Sequence, residues 1–181
     1  MTAMLQDVLR FWFEELTPAQ WWKVDPAVDA MMAERFGELL LHASRAELFA
    51  WREQPLGRLA EVIVLDQFSR NIHRGQARAF ACDALALGLA QTAVEISADL
   101  ALSPQERAFL YMPYMHSESA RIHAVAEPLF RERSTESSHD FELRHKAIID
   151  RFGRYPHRNA ILGRESTAQE LAFLELPGSR F

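Results

Sequence analysis

Two groups of polar residues carry the types and spacing that chemistry needs. The first is Asp66, Gln67, Arg70, Asn71 and Arg74, five residues within nine positions. At 100° per residue, Asp66 and Arg70 fall on the same stripe as Leu59, Val62 and Ile63, with Gln67, Asn71 and Arg74 beside it. An acid four residues ahead of an arginine can pair with it along a helix. The second group is Arg154, Tyr155, His157, Arg158, Asn159 and Arg164, punctuated by Gly153, Pro156 and Gly163. Guanidinium forks grip carboxylates and phosphates through two parallel hydrogen bonds, and amides fix orientation. His116, Glu118 and His145 are the further candidates. Together the two groups describe either an anion-binding pocket or a structural network in which the loop arginines are satisfied by Asp66, Glu118 and helix-end carbonyls.

Other chemistries are poorly served. His116, Glu118, His123, His145 and His157 show no four-residue helical pair of the zinc-enzyme kind, so no metal is expected. The single cysteine, Cys82, lies in an apolar stretch where a thiol is ordinarily inert. There is no nucleophile-elbow serine and no glycine-rich phosphate loop. No catalytic constellation is complete, and no cofactor is expected.

The elements that must position these groups read as helices. Period-3.6 patterning recurs and sustained alternation does not. A first helix from about residue 3 to 16 gathers Leu5, Val8, Leu9, Trp12 and Phe13 on one face, and Trp21-Trp22 follow in a turn. Asp25-Pro26 opens a helix to about Ala43, and Ser44 with Glu47 reads as a capping box for a short one. Pro55 opens a helix to about Ile72 with apolar residues on two sides, which makes it central. The stretch from Ala79 to Ile96 predicts a buried helix in which Asp83, near its start, plays a structural part. Ser103-Pro104-Gln105-Glu106 starts a helix that Pro113 ends or kinks. Ser117 is a plausible cap for a helix to about Arg133, kinked at Pro128. An exposed connection from Arg131 to Asp140 precedes a helix from His139 to Phe152, with Phe141, His145, Ile148, Ile149 and Phe152 on its apolar stripe and Gly153 as its cap. Thr167 and Glu170 box a last helix. The sum is a single all-α domain over residues 1–181, of roughly eight or nine helices, whose longest non-helical connection runs from Phe152 to Thr167.

The chain has 181 residues, 49% hydrophobic and 25% charged, which suits one soluble globular domain able to bury a core without staples. One cysteine permits no internal disulfide and fits a reducing cytoplasm. The net charge of −5 gives no overall footprint for nucleic acid. No apolar run is long enough to span a bilayer, and residues 1–13 lack a secretory pattern.

Four stretches together resemble one family. They are Leu65-Asp66-Gln67-Phe68-Ser69-Arg70-Asn71 with Arg74-Gly75; Leu110-Tyr111-Met112-Pro113 with His116-Ser117-Glu118; Phe152 to Asn159; and Leu162 to Thr167. Phe11-Trp12-Phe13 and Trp21-Trp22 fit as well, so the resemblance covers nearly the whole chain. It is to the bacterial domain-of-unknown-function 924 family, and it implies a tetratricopeptide-like α-α superhelix but no activity. Ser119 and Gln169 stand where the pattern leads one to expect acids, and Pro128 is unusual inside a helix. Such a superhelix offers a groove for a peptide or protein partner. The polar groups offer a small anionic ligand instead. A further expectation joins the two groups: Asp66 accepts hydrogen bonds from at least one of Arg154, Arg158 or Arg164, with His116 or Glu118 close by.

Overall fold

Local signals start and stop the helices. In the computed structural model, which describes residues 2–179, these residues form helices and no strand. Helix α1 (Thr2–Arg10) runs into a π turn, Phe11–Glu15, that buries Phe11 and Trp12. The short α2 (Pro18–Trp22) begins at Pro18, with the Gln20 side chain accepting from the Thr17 N–H at 2.9 Å. Asp25 caps α3 (Pro26–Ser44) by accepting from the N–H groups of Ala27 and Val28. Ser44 ends α3 and caps no further helix. Its hydroxyl donates to the Leu41 carbonyl, Glu47 pairs with His42, and only a 3₁₀ turn, Phe49–Glu53, forms there.

The centre of the molecule is one rod made of α4 (Pro55–Ile63), a π turn (Val64–Phe68) and α5 (Ser69–Ile72). Every residue from Leu59 to Ser69 is buried, as two apolar sides require. Counting α4 and α5 as one, the ten α-helical segments among the described residues make nine helices. The rod packs against α1, against α6 (Asp83–Glu95) and against α7 (Pro104–Met115), and its π turn against α3.

Helix α6 is less buried than its composition suggests. Only Ala86, Ala90 and Ala93 are fully enclosed, a small-residue face that brings its neighbours close, while Ile96 just beyond its end is exposed. Helix α7 passes Pro113 and continues to Met115. Helix α8 (Ala120–Arg133) is capped at Ser119 rather than Ser117. The expected polar connection after it is almost absent, because Thr135 caps α9 (Glu136–Phe152) by accepting from the Ser138 N–H at 3.2 Å. Helices α6, α7 and α8 each pack on the next in sequence, as far as α9. Gly153, at φ 69°, closes α9 in the left-handed region that glycine adopts without penalty.

The connection from Gly153 to Thr167 is the long one that the sequence announces, although it holds a 3₁₀ turn, Pro156–Arg158. Thr167 and Glu170 then box α10 (Ala168–Leu174) reciprocally. Phe173 of α10 meets Phe152 with ring centroids 5.1 Å apart. Among the described residues, no helix is long and apolar enough to cross a membrane.

Candidate functional site

The π turn sets the site. Such turns widen a helix by one residue and re-aim side chains, often at functional positions. Here the turn carries Asp66 and Gln67, and the Asp66 carboxylate is fully buried. Three donors surround it. Arg70 Nη1 lies at 3.0 Å and His116 Nδ1 at 2.8 Å from Oδ1, and Gln67 Nε2 donates to Oδ2 at 2.7 Å. Burial would raise this carboxyl, but the Arg70 guanidinium, His116 and Gln67 overcome it and hold the acid well below the usual carboxylate range.

Arg70 reaches onward to Asp83 Oδ2, at 2.9 Å. Arg158, from the loop, meets the same oxygen at 3.4 Å and donates its Nη2 to the His116 carbonyl at 3.1 Å. The Phe80 ring lies against both guanidinia, 4.6 Å from Arg158 and 5.7 Å from Arg70. The Tyr155 ring is also 4.6 Å from Arg158. Burial and the nearby Arg70 charge lower the Arg158 pKa from its ordinary value.

Glu118 organises the rest of the loop. It takes both Nη atoms of Arg164, at 2.6 and 2.8 Å, and the Tyr155 N–H at 2.7 Å. Arg164 Nε donates to Asn159 Oδ1, and the Asn159 amide donates to Ser166, each at 3.0 Å. Arg154 grips Glu170 of α10 with Nε at 2.6 Å and Nη2 at 2.8 Å. Each of these loop arginines thus has a carboxylate of its own.

The expected bond from a loop arginine to Asp66 does not form. Arg70 and His116 already occupy the inner oxygen, and the arginine that approaches, Arg158, stops at Asp83 and the His116 carbonyl. The two groups therefore meet through intermediaries. Asn71 and Arg74 leave the centre altogether: both donate to Asp29 of α3, at 2.6 to 2.8 Å. Asp83 is the residue whose part the sequence conceals. Its place at the start of α6 fits a dipole effect, and nothing in the residue pattern signals two arginines converging on it.

His145 and His157 stand near Tyr155, and His116 stands near His145. His145 lies 6.3 Å from His116 and 5.8 Å from Tyr155 between ring centroids, and His157 lies 5.6 Å from Tyr155. Burial, with nearby positive charge, lowers the pKa of all three, bringing His145 to about 3 and His157 to about 4. His116 differs from His123, which is fully buried and uses Nδ1 on Glu142 (2.7 Å) and Nε2 on the Ser117 carbonyl (2.9 Å). His123 and Glu142 have the satisfaction of a core network, a pairing hidden in the sequence because the apolar stripe of α9 points to Phe141 rather than Glu142. His116 spends Nδ1 on Asp66, and its Nε2 has no hydrogen-bond partner among the described residues. Its side chain keeps 15% of its surface, and Arg70 and Asp83 beside it keep 18% and 23%. The centre therefore reaches solvent at this point. No group of three or more His, Cys, Asp or Glu suited to a metal ion occurs among the described residues.

This geometry can be set beside known proteins. The family described as bacterial protein of unknown function DUF924 matches residues 8–178. The chain belongs to that DUF924 family. Among solved structures it is similar to the protein of unknown function ATU0120 from Agrobacterium tumefaciens, with 36% identity over 96% of this chain and 98% of that one and a TM-score of 0.91. No curated protein matches. In this DUF924 chain the family-like stretches are the ones that build the site: Leu65–Asn71 supplies the π turn, Leu110–Glu118 supplies His116 and Glu118, and residues 152–167 supply the lock around them.

Proposed function

We propose that this protein binds a small anionic molecule, bearing a carboxylate or a phosphate ester, where His116, Arg70 and Asp83 reach solvent. The observation that carries this reading is the Nε2 of His116, which no described residue engages. Asp66 fixes the ring through Nδ1, so the second nitrogen is aimed by a buried acid rather than left to rotate. His123, in the core, by contrast spends both nitrogens on protein partners. The lowered pKa keeps the ring neutral at pH 7, able to accept a proton from a ligand or donate one after taking it up. With its N–H on Asp66, neutral His116 presents a lone pair at Nε2 and takes a ligand O–H, so the ligand's single anionic group falls to the exposed edge of Arg70, and the acids matching the arginines disfavour a polyanion.

The test is a thermal-shift panel of small carboxylates and phosphate esters. A ligand at ~100 times its dissociation constant should stabilise by about 2.7 kcal/mol. At least one member is expected to raise the melting temperature, and His116→Gln should abolish that shift. A panel without any shift, or a shift that survives His116→Gln, overturns the reading. Proton exchange between His116 and the ligand would make the protein an enzyme or sensor rather than a carrier.

A second reading rests on the surface. Trp22 is 57% exposed and stacks between Phe109 and Phe141, with ring centroids 6.0 Å apart in each case. Phe109 is buried beneath, and the exposed rings of Trp22 and Phe141 favour the apolar face of a partner peptide, rings that a tetratricopeptide-like arrangement of helices would present in a groove. A Trp22 indole signal that stays fixed in nuclear magnetic resonance spectra when amphipathic peptides are added counts against it. We place this activity in the cytoplasm, which the half-buried free thiol of Cys82 supports.

A further inference from the structure

A cleft of about 300 Å³ lies apart from the Asp66 centre, between α3, the end of α5 and the turn before α6. None of the residues around Asp66 and His116 lines it. Its walls are mainly apolar. Gly37, Leu40 and Leu41 of α3 face Ile72, and Cys82 closes one side. Leu41 remains 44% exposed, so apolar surface there awaits cover. At this size the cleft stands at the small end of ligand pockets, which are usually apolar with a few polar groups to fix orientation.

The fixed charge among the lining residues is Arg78, with Ser44, Ser69 and His73 the other polar groups. Arg78 lines the cleft and is exposed, and its guanidinium makes no ion pair or hydrogen bond with the described residues. This sets it apart from the matched arginines of the polar centre. His73 lines the cleft too, and burial with the Arg78 charge lowers its pKa, so it stays neutral. One fixed positive charge beside an apolar cleft is complementary to a monoanion with a short apolar tail. A dianionic phosphate would need a second cation, which the cleft does not supply.

We propose that this cleft is a second binding site that takes a short- to medium-chain fatty carboxylate, its head on Arg78 and its tail between Leu40, Leu41 and Ile72. The site stands independently of His116. Gly37 supplies a direct way to block it. A Cβ built on Gly37 meets nothing within 4 Å, so a larger side chain there projects into open space without disturbing the helix.

The lone thiol at the wall makes the test simple. Maleimide labelling of Cys82 is followed in the full chain with octanoate, octanol or acetate present, alongside calorimetry. Octanoate is expected to slow labelling at least tenfold and to give a saturable heat, whereas octanol and acetate at equal concentration do neither. Arg78→Gln should weaken octanoate binding tenfold or more, Gly37→Leu should abolish it, and His116→Gln should leave it unchanged. Unaltered labelling with a flat calorimetric trace overturns the proposal. So does octanoate binding that is as tight in Arg78→Gln as in the natural protein, a result that stands even if Gly37→Leu fails to fold. Loss of binding in His116→Gln would mean that the two sites are one, and would overturn it as well.

Discussion

At the level of single residues, the buried charges have the largest consequences. Asp66 has no solvent to fall back on, so removing one member of its pair with Arg70 leaves Asp66 with only the uncharged donors Gln67 and His116, or Arg70 with Asp83 alone. That costs roughly 3–5 kcal/mol, against ~1 kcal/mol or less at the surface. Asp66→Asn and Arg70→Met should each lower the melting temperature far more than Glu38→Gln on the exposed side of α3. Equal small changes would show that the pair is solvated. The histidines set the response to acid. His145 and His157 titrate near pH 3 and 4 in the native protein, against about 6.5 in an unfolded chain. Above pH 6.5 both states are neutral and the pair contributes nothing to pH dependence. Below it the unfolded chain takes up protons that the native fold refuses. Stability therefore falls as pH drops from about 6.5 towards 4, by up to about 1.4 kcal/mol per pH unit for each histidine. Asp66, held below the ordinary carboxylate range, keeps its contribution through this window. Denaturant titrations at several pH values should show the decline, and His145→Asn should make it shallower by nearly one proton. An unchanged slope would mean that His145 does not stay neutral in the fold.

At the level of elements, a close approach and an open flank give opposite expectations for the same substitution. Gly57 begins the central rod beneath the 3₁₀ turn at Phe49–Glu53. A Cβ there would lie 1.9 Å from the Trp51 carbonyl oxygen, which is backbone and cannot step aside. Gly57→Ala should destabilise by at least the ~1–3 kcal/mol typical of overpacking, despite the better helix propensity of alanine. Gly88, exposed in α6, meets nothing within 4 Å, and Gly88→Ala should stabilise by about 0.5–1 kcal/mol. Denaturation midpoints moving in the same direction for both would contradict this account. The rod itself was legible from apolar residues on two sides of one helix, and the caps at Asp25, Ser103 and Thr167 were legible from residue type. The π turn was not. Its backbone pattern depends on what packs around Val64–Phe68, and no residue there is diagnostic. The Ser44–Glu47 signal failed for a related reason: His42 competes for Glu47 and the Leu41 carbonyl for Ser44.

At the level of the whole molecule, the candidate site exists because distant segments converge, and this is why it was only partly readable. Composition marked residues 153–167 as too polar for a solvated linker, and His116 and Glu118 as companions. Which acid each arginine takes depends on distances that no periodicity encodes, so Asp83, Glu170 and Asp29 emerge only in three dimensions. The resulting pairing gives the loop one central anchor. Glu118 holds the Arg164 fork and the Tyr155 N–H, Arg164 holds Asn159 and the Tyr155 carbonyl, and Asn159 holds Ser166. The apolar backing is one small cluster apart from the main core, Tyr155 with Ile148, Ile149, Phe152 and Phe173, while Leu171 and Leu176 remain exposed. A segment fixed mainly by polar links opens as a unit at less than the global unfolding cost. Glu118→Gln keeps the shape of the side chain but weakens the charge-assisted bonds from Arg164, each of which is worth about 1.5–3 kcal/mol. In native-state hydrogen exchange, residues 153–174 should lose protection together in this variant, while the rod from Leu59 to Phe68 keeps its own. Equal loss across both regions would show that the loop is part of the global core, and no loss in the loop would show that Glu118 does not hold it.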